Sequence, residues 1–353
     1  MILKTGQTSG ANSFRVFLVA ALIALFLVLP FFLDPYFLHI LIMTFLFAYL
    51  ARSWDLIGGY AGQFFLGPAA MFGIGAYTST LLSVHFNLPP WIGMLAGGIL
   101  GTIVGVLLCY VSFRFGLKGM YFGLVTLTFP EICRVLVTNL DVFGGVNGIL
   151  IPFKERSPLG AFIYMQFEGK IPYYYISFLM MLLSLLVMHL IQKSKSGYYY
   201  LALRENEEAA EAVGVDTLRY KLLVTGIGCF FLAIGGTFHA QYLMMVNPES
   251  FFGIGFTLEV IIRSIVGGVG TLFGPIIGSF ILTPLSDISR GVLGGYRGVH
   301  LMLFGAIIVA IIIFLPQGVS EWLGRGYRFI ETRLQRKGPV TVRENKDEPA
   351  KNK

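Results

Sequence analysis

The 353-residue sequence predicts an all-α integral membrane protein with about ten transmembrane helices. Three observations carry this prediction. Apolar residues make up 56% of the chain and charged residues only 13%, about half the charge a soluble domain carries. Mean hydropathy is +0.75. Finally, the apolar residues fall in runs long enough to cross the roughly 30 Å hydrocarbon layer as helix.

Taken in order, the expected spans are 16–33, 36–52, 61–84, 90–113, 119–138, 172–192, 221–246, 254–269, 271–289 and 299–316. The first run follows Lys4 and Arg15. It is longer than a signal-peptide core and lacks a small-residue cleavage site, so it reads as an uncleaved span. The third is unusual, because Gly58, Gly59, Gly62, Gly67, Pro68, Gly73 and Gly75 lie in or beside it. A broken span is expected near 58–75, and such backbone has to face protein or a water-filled cavity. This gives a cytosolic N-terminus at 1–15, a transmembrane domain at 16–316, and a basic cytosolic tail at 317–353 whose composition predicts disorder.

Basic residues support the count. With ten spans, 19 of the 26 lysines and arginines fall on the N-terminal side of the membrane, including Arg52 and Lys221 at span edges. Five (Lys154, Arg156, Lys170, Arg290 and Arg297) fall on the other. That asymmetry follows the positive-inside rule, and eight spans would preserve the same parity. The net charge of +7 is scattered through loops and tail, which argues against nucleic acid as a partner and allows contact with membrane lipid. The longest outer connection, 139–171, offers a surface for an external partner.

Four charges lie inside expected spans: Glu131 with Arg134 at i,i+3, and Glu259 with Arg263 at i,i+4. Either spacing puts both members on one helix face, and intramembrane charge marks a structural ion pair or a transport path. TFPEICRV and TLEVIIRS form a weak internal echo around these pairs. No catalytic constellation is present. The five histidines lie in different segments, so no metal site is expected. Cys109, Cys133 and Cys229 sit in apolar runs and read as small buried hydrophobes. The single Gly169-Lys170 pair is followed by Ile171, with Tyr164 where a phosphate-binding loop needs glycine. No cofactor is expected on this chain.

The most informative stretch is a charged island at 193–220. Residues 192–221 hold five basic and five acidic side chains. Leu201–Val213 reads as one helix, with Arg204 positioned to pair with Glu207 and Glu208 and Gly214 as a left-handed cap. A helix this short is marginal alone in water and gains order by docking.

The island resembles the cytosolic coupling helix of ABC-importer permeases. The similarity is to the LivM-like branched-chain amino-acid permease family. It rests on GYAGQFFLGPAAMFGIGAYTSTLL at 59–82, LKGMYFGLVTLTFPEICRVLVTNLDVFGGVNGI at 117–149, ALRENEEAAEAVGVDTLRYKLL at 202–223 and VGGVGTLFGPIIGSF at 266–280, with FLPQGV at 314–319 as a closing motif. Gly67-Pro68 stands where that family commonly has Gly-His, and Phe65 where it has a small polar residue. Related urea and short-chain amide permeases share the framework.

The resemblance implies a multi-pass permease of the bacterial cytoplasmic (inner) membrane. Its implied partners are a homologous second permease, two cytosolic ABC ATPase subunits that hold ATP and magnesium, and an external solute-binding protein. Arg204, Glu205, Glu207, Glu208, Ala209, Glu211 and Gly214 would meet the ATPase. Gln63, Gly67, Pro68, Tyr77, Thr126 and Thr128 would line the path. The rival is an ion-coupled carrier using Glu131 and Glu259.

Overall fold

A computed structural model describes residues 23–154 and 158–293, together with Ala21 and scattered positions between 302 and 322. The expected N-terminal segment 1–15, most of the span expected at 299–316 and nearly all of the tail lie outside the described residues.

The eight middle spans all appear as helices. They are α1 (Pro35–Asp55), α2 (Pro68–His85), α3 (Pro90–Arg114) and α4 (Gly119–Asn139). A short α5 (Pro158–Tyr164) precedes α6 (Ile171–Lys193). The island forms α7 (Lys195–Glu205) and α8 (Glu207–Ala212), followed by α9 (Thr217–Leu243). A five-residue α10 (Pro248–Phe252) leads into α11 (Ile254–Gly267), and α12 (Gly274–Leu293) completes the set. Among the described residues, six helices are long and apolar enough to cross a membrane, counting α10–α11 as one.

The helices are organised around α1. It packs against α6, α9, α11 and α12, and 89% of its most apolar stretch is buried inside the chain. By contrast, the corresponding stretch of α4 is only 28% buried, so its Leu124, Ile132, Val135 and Leu136 face outward. Outward aliphatic side chains suit lipid or a second membrane protein.

A second tight unit joins α2, α3 and α9. Small residues let these backbones approach. A Cβ on Gly75 would lie 2.0 Å from the Ala233 carbonyl oxygen, and one on Gly236 only 1.9 Å from that of Phe72. These glycines serve packing, which explains why Gly73 and Gly75 leave α2 unbroken.

Helix direction places the connections at two ends. At the island end are the end of α1, the loop 268–273 and α7–α8, held by a cluster including Leu56, Tyr60, Met188, Tyr200, Leu203 and Leu272. At the far end, the 140–170 connection is folded rather than loose. Ile149–Leu150 (β1) pairs antiparallel with Met245–Val246 (β2), joining Ile149 to Val246 and Leu150 to Met245. Among the described residues the regular structure is therefore helical apart from one two-residue ladder. Lys154 Nζ donates to the Ser83 carbonyl and to Asn87 Oδ1, and burial holds its pKa below the ordinary lysine value. Lys170 Nζ reaches the Pro35 carbonyl.

Three expectations need correction. Residues 53–60 are not a loop: α1 runs on through a π-helical turn, Leu56–Tyr60. The break itself is narrower than 58–75, with non-helical backbone only at 61–67. The island is also two helices rather than one. Asn206 adopts an extended conformation, and its side chain caps α8 by accepting from Ala209 N at 3.0 Å. Asparagine favours a cap over a helix interior, which splits the segment.

The close approach of α2 and α9 yields a test. Gly236→Val should destabilise the purified protein by about 1–3 kcal/mol, the usual cost of overpacking. Gly255→Ala, at a helical position with open space around it, should not. Thermal unfolding of both variants in detergent checks this.

Candidate coupling site and translocation path

The break is bounded by a buried ion pair that reading by span edges missed. Asp55 is fully buried and Arg52 nearly so. Arg52 Nη1 lies 3.2 Å from Asp55 Oδ2 and donates to the Thr271 carbonyl at 2.8 Å. Asp55 Oδ1 accepts from Ser264 Oγ at 3.0 Å and from Gly270 N at 2.7 Å. Three bonds accepted by Asp55 and one donated by Arg52 to Thr271 tie α1 to α11 and to the 268–273 loop. Arg52 therefore belongs to the interior, not to a solvated edge. The available signal was an Arg-x-x-Asp spacing inside an uninterrupted apolar pattern.

Beyond the π turn the chain leaves the helix, and protein groups satisfy part of its backbone. Gln63 N donates to the Ile57 carbonyl, Trp54 Nε1 to the Phe65 carbonyl, and Leu66 N to Thr126 Oγ1. Gly62 takes φ +69°, where glycine alone carries no Cβ penalty. Gly67 then caps α2, with Pro68 at its first position. Both residues thus define where the broken span resumes.

The expected path residues separate into distinct roles. Gln63 is buried and acts as a cross-brace, donating to the Lys221 carbonyl at 3.1 Å and accepting from Thr225 Oγ1 at 3.0 Å. Thr126 is buried, and its hydroxyl bonds the Phe122 and Gly123 carbonyls while receiving Leu66 N. Tyr77 is buried with a hydroxyl that has no partner among the described residues, beside an apolar cavity of about 480 Å³ between α2 and α4. Thr128 is exposed and bonds its own helix at Leu124. The four do not share one surface: Thr128 points away from the break that Gln63 and Thr126 brace.

The island lies directly on the break. A Cβ built on Gly62 would sit 3.1 Å from Arg204 Cα, and one on Gly270 only 2.4 Å from Arg204 Nη1. Arg204 thus spans from the non-helical segment to the loop that bonds Asp55. Its expected pairing with Glu207 and Glu208 does not form, because the turn at Asn206 redirects α8. Glu207 instead pairs with Lys221, at 2.5 Å. Glu205, Glu208, Ala209 and Glu211 are exposed. Glu211 also accepts from Thr217 Oγ1 at 2.5 Å. Gly214 takes φ +86°, the left-handed conformation expected of it.

Both intramembrane pairs form, and both extend to a third residue near the far end. Arg134 donates to Glu131 and to Glu249 Oε2, the latter at 3.2 Å. Arg263 Nη1 lies 3.3 Å from Glu259 Oε2, and Arg290 Nη2 lies 3.4 Å from Glu259 Oε1. Arg134 and Glu131 are partly exposed, whereas Arg263 is 1% exposed. Among the described residues, no group of His, Cys, Asp and Glu is arranged to hold a metal ion.

Residues 36–312 match the family described as branched-chain amino acid transport system, permease component. The high-affinity branched-chain amino acid transport system permease protein LivM of Escherichia coli (strain K12) is 28% identical over 326 residues, covering 86% of this chain and 74% of that protein. The probable branched-chain amino acid transport permease protein LivM of Methanocaldococcus jannaschii is 26% identical over 239 residues, covering 65% and 67%. The permease protein LivH of the corresponding high-affinity system in Salmonella typhimurium is 27% identical over 136 residues, covering 38% of this chain and 42% of that protein.

The Arg52–Asp55 geometry makes a prediction of its own. Asp55→Ala leaves a buried guanidinium uncompensated and should cost about 3–5 kcal/mol. Replacing both residues by apolar ones of similar volume (Arg52→Met with Asp55→Leu) should recover much of that loss. A double-mutant cycle on thermal unfolding in detergent measures the coupling.

Proposed function

The chain belongs to the branched-chain amino acid transport system permease family, and on that premise we propose that it carries branched-chain or closely related amino acids into the cell. It is the permease subunit of an ABC importer. ATP hydrolysis resides in partner subunits, not in this chain.

The proposal extends to the assembly. The chain spans the inner membrane ten times, with the island in the cytosol and the 139–171 connection outside. A homologous second permease completes the membrane unit, as the likeness to a LivH protein supports. Two cytosolic ATPases, which bind ATP and magnesium, grip the α7–α8 surface. An external binding protein delivers solute to the far end.

One observation carries the mechanism: Arg204 of the island packs on both Gly62 and Gly270. A push on α7 is therefore delivered at once to the non-helical segment and to the loop hydrogen-bonded to Asp55. Closure of the ATPases displaces α7–α8. The segment 61–67, free of a helical ladder, is the element able to change its backbone path, and the packed α1 and α2 on either side move with it. The two arrangements present the solute route alternately to each side.

Neither rival reading gains support. The three relatives described above are branched-chain amino acid permeases. Glu131 and Glu259, which an ion-coupled carrier would use, are each committed to arginines.

The test is reconstitution of this chain in proteoliposomes with its second permease, ATPases and binding protein. Uptake of leucine, isoleucine or valine should require ATP. Uptake that persists without ATP and collapses with an uncoupler would overturn the reading. At the docking surface, Glu205→Lys with Glu208→Lys should abolish co-purification of the ATPases while membrane insertion is retained. Glu207 and Glu211 are unsuitable for that experiment, since each is engaged within the chain.

A further inference from the structure

At the far end, α1, α11 and α12 enclose a cavity of about 430 Å³ with the end of α9 and α10. The volume is within the range of small-molecule sites. Its wall is divided chemically. Arg263, Glu259, Asp287 and Arg290 contribute charge, while Met43, Phe47, Leu243 and Phe256 contribute apolar surface.

The charged wall is balanced and incompletely satisfied. Two guanidinium groups face Glu259 and Asp287, and the third lining carboxylate, Glu249, is matched from outside the cavity by Arg134 at 3.2 Å. A site with this balance favours neither a free cation nor a free anion. Arg263 is held rigidly. Its Nε donates to Thr283 Oγ1 at 3.0 Å, its Nη1 to the Glu259 carbonyl at 2.7 Å, and its ring-facing carbon lies 3.8 Å from the Phe47 centroid. Its Nη2 bonds no described residue. Asp287 likewise takes no side-chain hydrogen bond from a described residue, and its Oδ2 is buried without a partner. A buried unpaired carboxylate is costly, so a donor that arrives with a ligand is favoured.

We propose that this cavity is a holding site for a zwitterionic α-amino acid, in which Arg263 receives the carboxylate, Asp287 receives the ammonium, and Phe47, Phe256, Met43 and Leu243 cover an aliphatic side chain. The assignment rests on the amino-acid reading above and names the point at which this chain first holds its solute. With Nε and Nη1 already engaged, Nη2 is the guanidinium nitrogen left to donate charge-assisted bonds to a carboxylate. The two unpaired groups lie on different helices, α11 and α12, so a bound zwitterion also bridges those helices. Polar and apolar walls on one cavity distinguish the backbone of the solute from its side chain, which explains how aliphatic amino acids are selected as a class.

The test uses the complete importer in nanodiscs and a leucine analogue bearing a photoreactive diazirine in its side chain. Labelling is expected on the α1 and α11 segments around Phe47 and Phe256. Excess L-leucine should suppress it. At equal concentration, 4-methylpentanoate, which lacks the ammonium, and isopentylamine, which lacks the carboxylate, should not. Asp287→Asn should weaken leucine competition by about tenfold or more, as expected for loss of a charge-assisted bond. Arg263→Lys, which keeps the charge but cannot hold Thr283 and Glu259 while presenting a further donor to the ligand, should do the same. Co-purification with the partner subunits reports whether each variant is assembled. If a variant fails to assemble, the labelling map and the two analogues on the unaltered importer decide the matter.

Labelling confined to other segments, or equal competition by either analogue, would overturn the proposal. Absence of ATP-driven leucine uptake by the unaltered importer would instead count against the transport reading itself. Normal uptake combined with labelling away from this cavity would sink the site and leave that reading intact.

Discussion

Seven residues of non-helical backbone inside a lipid-soluble bundle impose the governing constraint on this protein. Lipid offers no hydrogen bonds, so every exposed N–H and C=O in 61–67 has to find a protein partner or water. The structure supplies several from different elements: Ile57 from the π turn, Trp54 from α1 and Thr126 from α4. Gln63 contributes its own side chain to α9. A helix would satisfy this backbone locally. Breaking it makes the region depend on four neighbours, and so makes it responsive to all of them.

The Arg52–Asp55 pair belongs to the same arrangement. Burial of two charges is justified energetically only when their remaining valences are met. Here Ser264 Oγ, Gly270 N and the Thr271 carbonyl meet several of them. Consequently the loop 268–273 is fixed to the end of α1. The charged island rests on that loop through Arg204. Charge, a π turn and glycine contacts thus converge at one end. The far end carries the other polar groups, among them Glu249, Glu259, Arg263, Asp287 and Arg290. Between these ends the helices α2, α3 and α9 are packed at glycine distances, which transmits displacement with little slack.

Much of this was legible from residue order. Hydrophobic runs placed the eight middle spans, because a membrane helix has to be apolar over its whole length. The pairs Glu131–Arg134 and Glu259–Arg263 followed from helical spacing, and Gly214 from its position after the island. Other features were not legible. Arg52 and Asp55 sat where an apolar run appeared to end, and only the continuation of α1 through a π turn brought them inside. Asn206 looked like one polar residue within a helix-forming stretch, although its capping preference was the usable signal. Thr126 and Thr128 were indistinguishable by type and spacing from the break. Two positions along a helix differ by about 200° in facing, which buries one and exposes the other.

The sequence by itself determined that this chain is a multi-pass membrane protein, where its helices run, that one segment is densely charged, and which family it resembles. Those properties depend on local composition and on short-range periodicity. Tertiary structure alone decided which polar groups meet. Arg204 beside Gly270, Arg263 beside Thr283, and Gln63 beside Thr225 unite segments far apart in the chain, and no local pattern encodes such distances. Their contacts arise because buried polar groups in a medium without water have to find one another.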